Sequence, residues 1–440
     1  EAKTFETTFL GERVNIIYLL SQKLKLKLEE HGLDEIFYKM DNPLIPVLAK
    51  MEHRGILLNA GFLKKLEVDF ETKSLEVVGK IEKISGYPVN LRSPKQVGEL
   101  LFEKLGLPII KKNKTGASTN VEVLEELNSR GLSEVPKMIL KYRELEKLLS
   151  TYVRVLPKMI DPRSGRLHTH FNQHNVVTGR LSSDRPNLQN IPVRSENGKL
   201  VRKGFMAEPG WLLLSADYSQ AELRILAHLS EDPVMIQAFL RGEDIHAQTA
   251  SEVSGIPLKE IKLEDRLMAK AVNFGLMYGQ SSFGLAKTLG ITRSEAKDYI
   301  TRYFERFSQV KAYIDDLKEF AENNGYSETI YGRKRFLPDI HSQNRTIKSM
   351  AERLAVNSPI QGTASDIIKK AMINLDRKIE NEKLESRMLL QVHDELIFEV
   401  PENELERMKN MVRTEMENVV QLKVPLNVDL GIGVNWYDLK

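Results

Sequence analysis

Two acidic positions far apart in the sequence have the surroundings of a metal site. Asp217 closes the apolar run 211–216 and precedes Leu223, Ile225, Leu226 and Leu229 at helical spacing, which places it where a strand turns sharply into a helix. A carboxylate there leaves the sheet at its rim, where desolvation is incomplete and a cation can be held. The alternative is that Asp217 or Ser219 only caps the helix. Asp394 and Glu395 follow His393 inside LLQVHDELIFEV, residues 389–400, which reads as a hairpin with its acidic tip exposed. Ordinary hairpin tips favour Asn-Gly, Asp-Gly or other Gly pairs, and this one has none. Two carboxylates from two strand ends make a hard-oxygen site suited to Mg²⁺, which binds through few protein ligands plus water and substrate phosphates. That chemistry is phosphoryl transfer.

A second pattern fits the same chemistry. In EDRLMAKAVNFGLMYG, residues 264–279, Arg266, Lys270, Phe274 and Tyr278 recur every four positions and share a helix face, while Leu267, Ala271, Val272 and Leu276 are expected to be buried opposite. An ordinary amphipathic helix groups its aromatics with its Leu and Val. Here they lie with the cations, over a rise of roughly 18 Å. That is about the reach of an extended nucleotide, with cations for the triphosphate and rings for the base and sugar. Further along, Arg353, Asn357 and Gln361 form a polar stripe that either faces solvent or reads minor-groove acceptors, and Pro359 is expected to distort the turn between the last two.

These groups must be positioned by the rest of the chain. THFNQHNVVTGRLSSDRPNLQNIPVR, residues 169–194, spends a long stretch on amides and guanidinium groups, and loops of this length are usually functional. Arg180, Asn187, Gln189, Asn190 and Arg194 supply the forked donors that reach phosphates and base edges. Asp244 and His246 open a helix that Gly255 interrupts. Residues up to about 38 read as one amphipathic helix, with Ile16, Ile17, Leu19 and Leu20 among Lys and Glu. Asn59 is expected to cap a long helix whose seam runs Leu63, Leu66, Phe70, Val77, Ile81 and Ile84 until Gly86. A second long helix, 136–156, is expected to pack on it. Ser93 to Gln96 and Thr119 to Glu122 read as capping boxes, the first with Pro94 at its first helical position. Between them Lys111, Lys112 and Lys114 are either solvated surface or a phosphate grip.

Composition bounds the class. The 440 residues leave room for about three domains. Cys is absent, which excludes disulfides and thiolate metal sites. The net charge of +3 is a weak global field, so a polyanion must be held by local patches. No apolar run is long enough to span a bilayer and no secretory signal opens the chain, so a soluble protein is expected. Glu1 is not an initiator Met, so the chain is expected to be a piece of something longer.

DYSQAELR at 217–224, the pattern from Arg266 to Gly279, and VHDE at 392–395 resemble the three polymerase motifs of family A DNA polymerases. TGRLSSDRPNLQNIP and NSPIQGTASDIIKKAM resemble segments that this family places against primer and template. The resemblance runs from about Asp41 to Lys440. It implies an α/β (α+β) right-hand fold with an antiparallel-sheet palm, helical fingers and helical thumb. Residues 1–40 would be an exonuclease-like remnant or lead-in helix, 41–157 mainly thumb, 158–225 and 341–440 palm, and 226–340 fingers. Asp217, Asp394 and the main-chain carbonyl of Tyr218 would hold two Mg²⁺ ions, with Mn²⁺ able to substitute. Arg266 and Lys270 would hold the triphosphate with His246 and Arg194, and Lys270 could also protonate the leaving group. Gln220, Phe274 and Tyr278 would line the nucleotide site, with Glu222 closing the sugar pocket. Arg180, Asn187, Gln189, Asn190, Arg353, Asn357, Gln361 and His393 would face DNA, and Glu395 would be an accessory acid.

The resemblance also implies template-directed addition of deoxynucleoside triphosphates to a primer, by a monomer in a bacterial-like cytoplasm. Two departures stand out. Arg185 adds a cation where the family commonly reads Asp-Pro before Asn-Leu-Gln-Asn. Phe9 and Arg13 occupy the places of a proofreading Tyr-x-x-x-Asp, and a cation there repels a metal, so no 3′→5′ exonuclease is expected. Three other readings remain. A single-subunit RNA polymerase shares the aspartates, but Glu222 argues for deoxynucleotides. A metal-dependent nuclease has no use for the Arg266 stripe. A non-catalytic clamp could lose both aspartates.

Overall fold

The computed structural model describes residues 2–113, 116–193 and 195–439, with side chains from residue 10 onward. The chain divides into two units. One comprises Glu1–Glu52, Phe171–Ser182 and Leu214–Leu430, the other His53–His170, Ser183–Leu213 and Gly431–Lys440.

In the second unit the helix Ala60–Ser85 begins where Asn59 accepts the Phe62 amide at 2.8 Å and ends at Gly86, whose φ of 79° suits a residue without a Cβ. Its buried seam, Leu63, Leu66, Phe70, Val77 and Ile81, faces the helix Val135–Leu148. Ile84 falls outside the seam and is exposed. Ser93 caps the helix Pro94–Gly98, but Gln96 turns its amide oxygen to the Asn90 backbone, so the reciprocal box is only half made. The box expected at Thr119 is absent. Asn120 caps instead, at 3.0 Å from the Val123 amide, while Arg143 occupies both the carbonyl and the hydroxyl of Thr119. Lys112–Asn113 and Gly116–Ala117 pair as a small hairpin with Lys112 exposed; Lys114 lies outside the described residues.

The first unit opens on the helix Ala2–Glu30. Ile16, Ile17, Leu19, Leu20, Leu24 and Leu26 on it are all exposed, so the expected amphipathic helix has no buried face among the described residues. The central sheet has the order Arg387–Val392, Glu395–Pro401, Trp211–Tyr218, Val428–Gly433. The first two strands form an antiparallel hairpin in which Val392 pairs with Glu395. Trp211–Tyr218 ends where both its neighbours begin: the Tyr218 amide donates to the Asp394 carbonyl at 3.2 Å, and the Ser219 amide to the Asn427 carbonyl at 2.9 Å. Both neighbours therefore run antiparallel to it.

The helix Arg345–Asn381 packs on the helices Ala221–Ser230 and Leu405–Glu417 and is continuous through Pro359. The distortion expected there does not break it. Ser358, Pro359 and Ile360 are all buried, so tertiary packing outweighs the lost backbone bond. No helix among the described residues is long and apolar enough to cross a membrane.

Candidate nucleotide and metal site

Asp217 lies in the last turn of pleat before the helix Ala221–Ser230, and the turn between them is held from below. Gln220 adopts a left-handed φ of 54°. The buried Arg224 donates to the Ser219 carbonyl at 2.9 Å and the Pro425 carbonyl at 2.6 Å, its guanidinium resting 4.6 Å above the Phe239 ring. The N-cap is Gln220, and its side chain makes no capping bond. Tyr218 turns its ring inward, its hydroxyl donating to the Met416 carbonyl at 2.8 Å, which leaves only its main chain at the rim.

His393 and Asp394 form the hairpin turn, His393 with φ 58°. Because Tyr218 bonds the Asp394 carbonyl, the two strand ends bring Asp217 and Asp394 together. Desolvation first, and the charge of Asp217 second, push the Asp394 carboxyl up to about 6. Glu395 departs from the expected exposed tip. It pairs with Val392 at the head of the next strand and is buried. The donors gathered here are oxygens only, and their mutual repulsion is what a divalent cation relieves. Among the described residues no group of three or more His, Cys, Asp or Glu converges. A cation held by the two carboxylates would have to take its remaining ligands from water and phosphate, a habit of Mg²⁺.

The helix Leu263–Met277 supplies the facing wall. Arg266 is held by Asp244 at 2.6 Å, and Asp244 itself caps the helix Ile245–Ser254. Lys270 is exposed, and Phe274 stacks on Tyr278 with ring centroids 6.2 Å apart. Leu267, expected on the buried side, is exposed; the buried face is instead Ala269, Val272, Asn273, Leu276 and Met277. The apolar face is narrower than the spacing implied because Asn273 spends a buried position on polar contacts, donating 3.0 Å to Thr249 and reaching His246 Nδ1 at 3.1 Å.

Glu222 joins the two walls. One carboxylate oxygen accepts from Arg180 and the other from the Tyr278 hydroxyl at 2.6 Å. Burial, then the charge of Glu222, hold the Tyr278 phenol well above its ordinary value, so it stays a donor. Arg180, Tyr218, Gln220, Glu222, His246, Arg266, Lys270, Phe274, Tyr278, His393 and Asp394 all line one cavity of about 340 Å³. Asn357 donates to the Tyr278 carbonyl at 3.4 Å, and its own side-chain oxygen is buried without a hydrogen-bond partner among the described residues. Arg353 packs beneath Gly279, where a Cβ would come within 2.7 Å of it. Arg353 and Gln361 are not among the cavity's lining residues. Asn187, Gln189 and Asn190 belong to the other unit, and Arg194 lies outside the described residues. Arg13 is exposed on the first helix, and the side chain of Phe9 lies outside the described residues.

Sequence reasoning placed Asp244 at a helix start but not as the partner of Arg266, and it missed Asn273, Arg224 and Ser365, which reveal themselves through partners distant in sequence: His246 and Thr249, the Pro425 carbonyl, and the Gly179 carbonyl.

His246 enters the cavity as a neutral ring. Burial lowers it to about 4, opposed by Asp244 and reinforced by Lys270 and Arg266. The unfolded ring binds its proton near 6.5, so between 6.5 and about 4 the unfolded state holds more protons and stability falls as pH falls. His246→Gln should flatten this part of the profile. The check is the urea midpoint at neutral pH and at about pH 5 for both proteins; an equal drop in each would remove His246 as its cause.

A family model described as DNA polymerase family A matches residues 60–438. A DNA polymerase I of Caldicellulosiruptor bescii is 49% identical over 405 residues, covering 92% of this chain and 47% of that protein. A DNA polymerase I of Bacillus subtilis is 46% identical over 432 residues, covering 98% and 49%. The chain thus spans about half the length of the curated relatives it matches. Among solved structures, the POL domain of Pol1 from M. smegmatis, in complex with DNA primer-template and dNTP, superposes with a TM-score of 0.90 at 42% identity, covering 94% of this chain and 73% of that one.

Proposed function

The chain belongs to DNA polymerase family A, and on that basis we propose that it copies a DNA template, adding deoxynucleoside triphosphates to a primer 3′-hydroxyl with release of pyrophosphate. The observation that carries this reading is the single cavity bounded by Asp394 and the Tyr218 main chain at one side and by Arg266, Lys270, Phe274 and Tyr278 along the other. On this reading 41–157 is mainly thumb, 158–225 and 341–440 palm, and 226–340 fingers, and the protein works as a monomer on primer–template DNA. The first helix carries Arg13 where a metal-binding acid is expected, so it supplies no exonuclease site.

Asp217, Asp394 and the Tyr218 carbonyl would hold two Mg²⁺ ions, which when bound lower the pKa of the primer hydroxyl and neutralise charge on the triphosphate. The chain's own groups do the rest. Arg266, fixed by Asp244, and Lys270 would bind phosphate oxygens, and Lys270 would give a proton to the departing pyrophosphate. Phe274 and Tyr278 stack against base and sugar, and Glu222 limits the space beneath the sugar. Arg180, Asn357, Arg353 and Gln361 present donors suited to minor-groove acceptors, with Asn187, Gln189, Asn190, Arg194 and His393 as further DNA contacts.

The test is extension of a labelled primer on a DNA template with Mg²⁺ and either four deoxynucleotides or four ribonucleotides. Extension with deoxynucleotides is expected, and preference for ribonucleotides would overturn the reading. Within the same assay Lys270→Ala should slow single-turnover incorporation about a hundredfold. Lys112→Ala should leave that rate near wild type while lowering the salt slope of DNA binding by about one. Equal effects of the two changes on rate would reduce the stripe to ordinary helix surface.

A further inference from the structure

We propose that the partly buried charge cluster of Asp41, Arg333, Asp366 and Lys369 is a positioning device that fixes the main chain at 178–180 and thereby the Arg180–Glu222 pair; this rests on the reading that the cavity takes a deoxynucleotide. Arg333 is its centre. Its two terminal nitrogens donate to the two oxygens of Asp41 at 2.9 and 2.7 Å, and its Nε donates to Asp366 at 2.7 Å. Lys369 adds a bond to Asp41 at 3.2 Å, and the second oxygen of Asp366 accepts the Thr329 hydroxyl at 2.8 Å. The side chains of Asp366 and Lys369 have no exposed surface. Desolvation alone would raise Asp41, but Arg333 and Lys369 hold it below its ordinary value.

Buried ion pairs are often no more stabilising than apolar packing of the same volume, so their use here calls for another return. A guanidinium bonded on three nitrogens has no rotational freedom left, and the main chain of 178–180 is laid against it. Gly179 has φ +81°, and a Cβ there would sit 2.7 Å from Arg333 Cδ and 2.8 Å from its Nε. From the other side Ser365, the neighbour of Asp366 on the same helix, donates its hydroxyl to the Gly179 carbonyl at 2.8 Å. Gly362, almost one turn earlier, leaves room for the Thr178 carbonyl and for Thr329. The segment is thus gripped on two faces one residue before Arg180. A long Arg side chain can reach Glu222 with one geometry only if its Cα is fixed; the loop's own bond, from the Gly179 amide to the Val176 carbonyl at 2.9 Å, closes a turn, and the cluster and Ser365 tie that turn to the long helix.

A plain staple joining distant parts of the unit would cost stability when broken but would not act through Arg180. A double-mutant cycle separates the two. Ser365→Ala removes one hydroxyl and no charge, and Arg333→Lys keeps a cation but loses the fork. Each is expected to slow single-turnover deoxynucleotide incorporation about fivefold or more, the worth of a hydrogen bond. In an Arg180→Ala background neither should slow it further, while the loss in melting temperature is the same in both backgrounds. Additive slowing, or a lower melting temperature with unchanged rate, overturns the proposal. If Arg333→Lys does not fold, Ser365→Ala carries the test. A second readout needs no activity: the Arg180 Nε–H resonance, assigned by its loss in Arg180→Ala, should shift or broaden in Ser365→Ala, and an unmoved signal counts against positioning. A wild-type chain that extends no primer overturns the polymerase reading instead, and the resonance still decides this one.

Discussion

Asp217→Asn and Asp394→Asn should each lower primer extension roughly a thousandfold or more, because the charge that holds the cations contributes several kcal/mol to the transition state. Neither change alters shape. The bond that brings the two strand ends together runs from the Tyr218 amide to the Asp394 carbonyl, both main chain, so the site should keep its frame. Binding to primer–template should be nearly unchanged, since phosphate contacts elsewhere supply most of the affinity. Stability gives an independent readout. Desolvation and the charge of Asp217 already disfavour an ionised Asp394, so in EDTA the Asn variants should melt at or above the wild-type temperature. Added Mg²⁺ should raise the wild-type melting temperature and leave the variants where they were. Single-turnover extension, anisotropy with a labelled duplex and melting scans measure the three quantities. A variant that binds duplex and extends at the wild-type rate would end the assignment of these residues as metal ligands.

The parts of the site that were legible in the sequence are those set by local periodicity. A strand, a turn and a helix around Asp217, a four-residue stripe from Arg266 to Tyr278, and two apolar runs around His393 each follow from spacing alone. The errors share a cause, which is that burial is decided by what lies across from a residue. Glu395 reads as part of a polar tip, yet the turn closes in two residues and pairing with Val392 puts it into the sheet. Leu267 lies on the side expected to be buried, but no element among the described residues covers it, while Asn273 is buried with Thr249 and His246 satisfying it. Pro359 looks like a break until the packing of its helix is seen. The Asp41, Arg333, Asp366 and Lys369 cluster had no local signal. Its members come from three stretches, and each alone looks like a surface charge.

Glu222→Ala should lower the preference for deoxynucleotides over ribonucleotides by roughly a hundredfold, with a much smaller effect on deoxynucleotide use itself. Glu222 is the second residue of the helix that follows Asp217, and it lines the cavity with both oxygens engaged, one by Arg180 and one by Tyr278. A carboxylate held at two points cannot swing aside to admit a 2′-hydroxyl. The bland reading is an acid near a helix N-terminus that favours the macrodipole, worth about 0.3–1 kcal/mol in stability and nothing in selectivity. Three variants tell the two apart. Glu222→Ala opens the space, Glu222→Gln keeps the size and loses the charge, and Tyr278→Phe removes one anchor. If volume and rigidity make the gate, Gln should retain most of the discrimination, Phe should lose about fivefold, the worth of one hydrogen bond, and Ala should lose the most. A macrodipole role predicts similar melting losses for Ala and Gln and no change in selectivity for any of the three. The deciding quantity is kcat/KM for a deoxynucleotide divided by that for its ribonucleotide, which reports differential transition-state binding. A ratio unchanged in folded Glu222→Ala would place the gate elsewhere, and would return weight to a polymerase that does not read the sugar at this position.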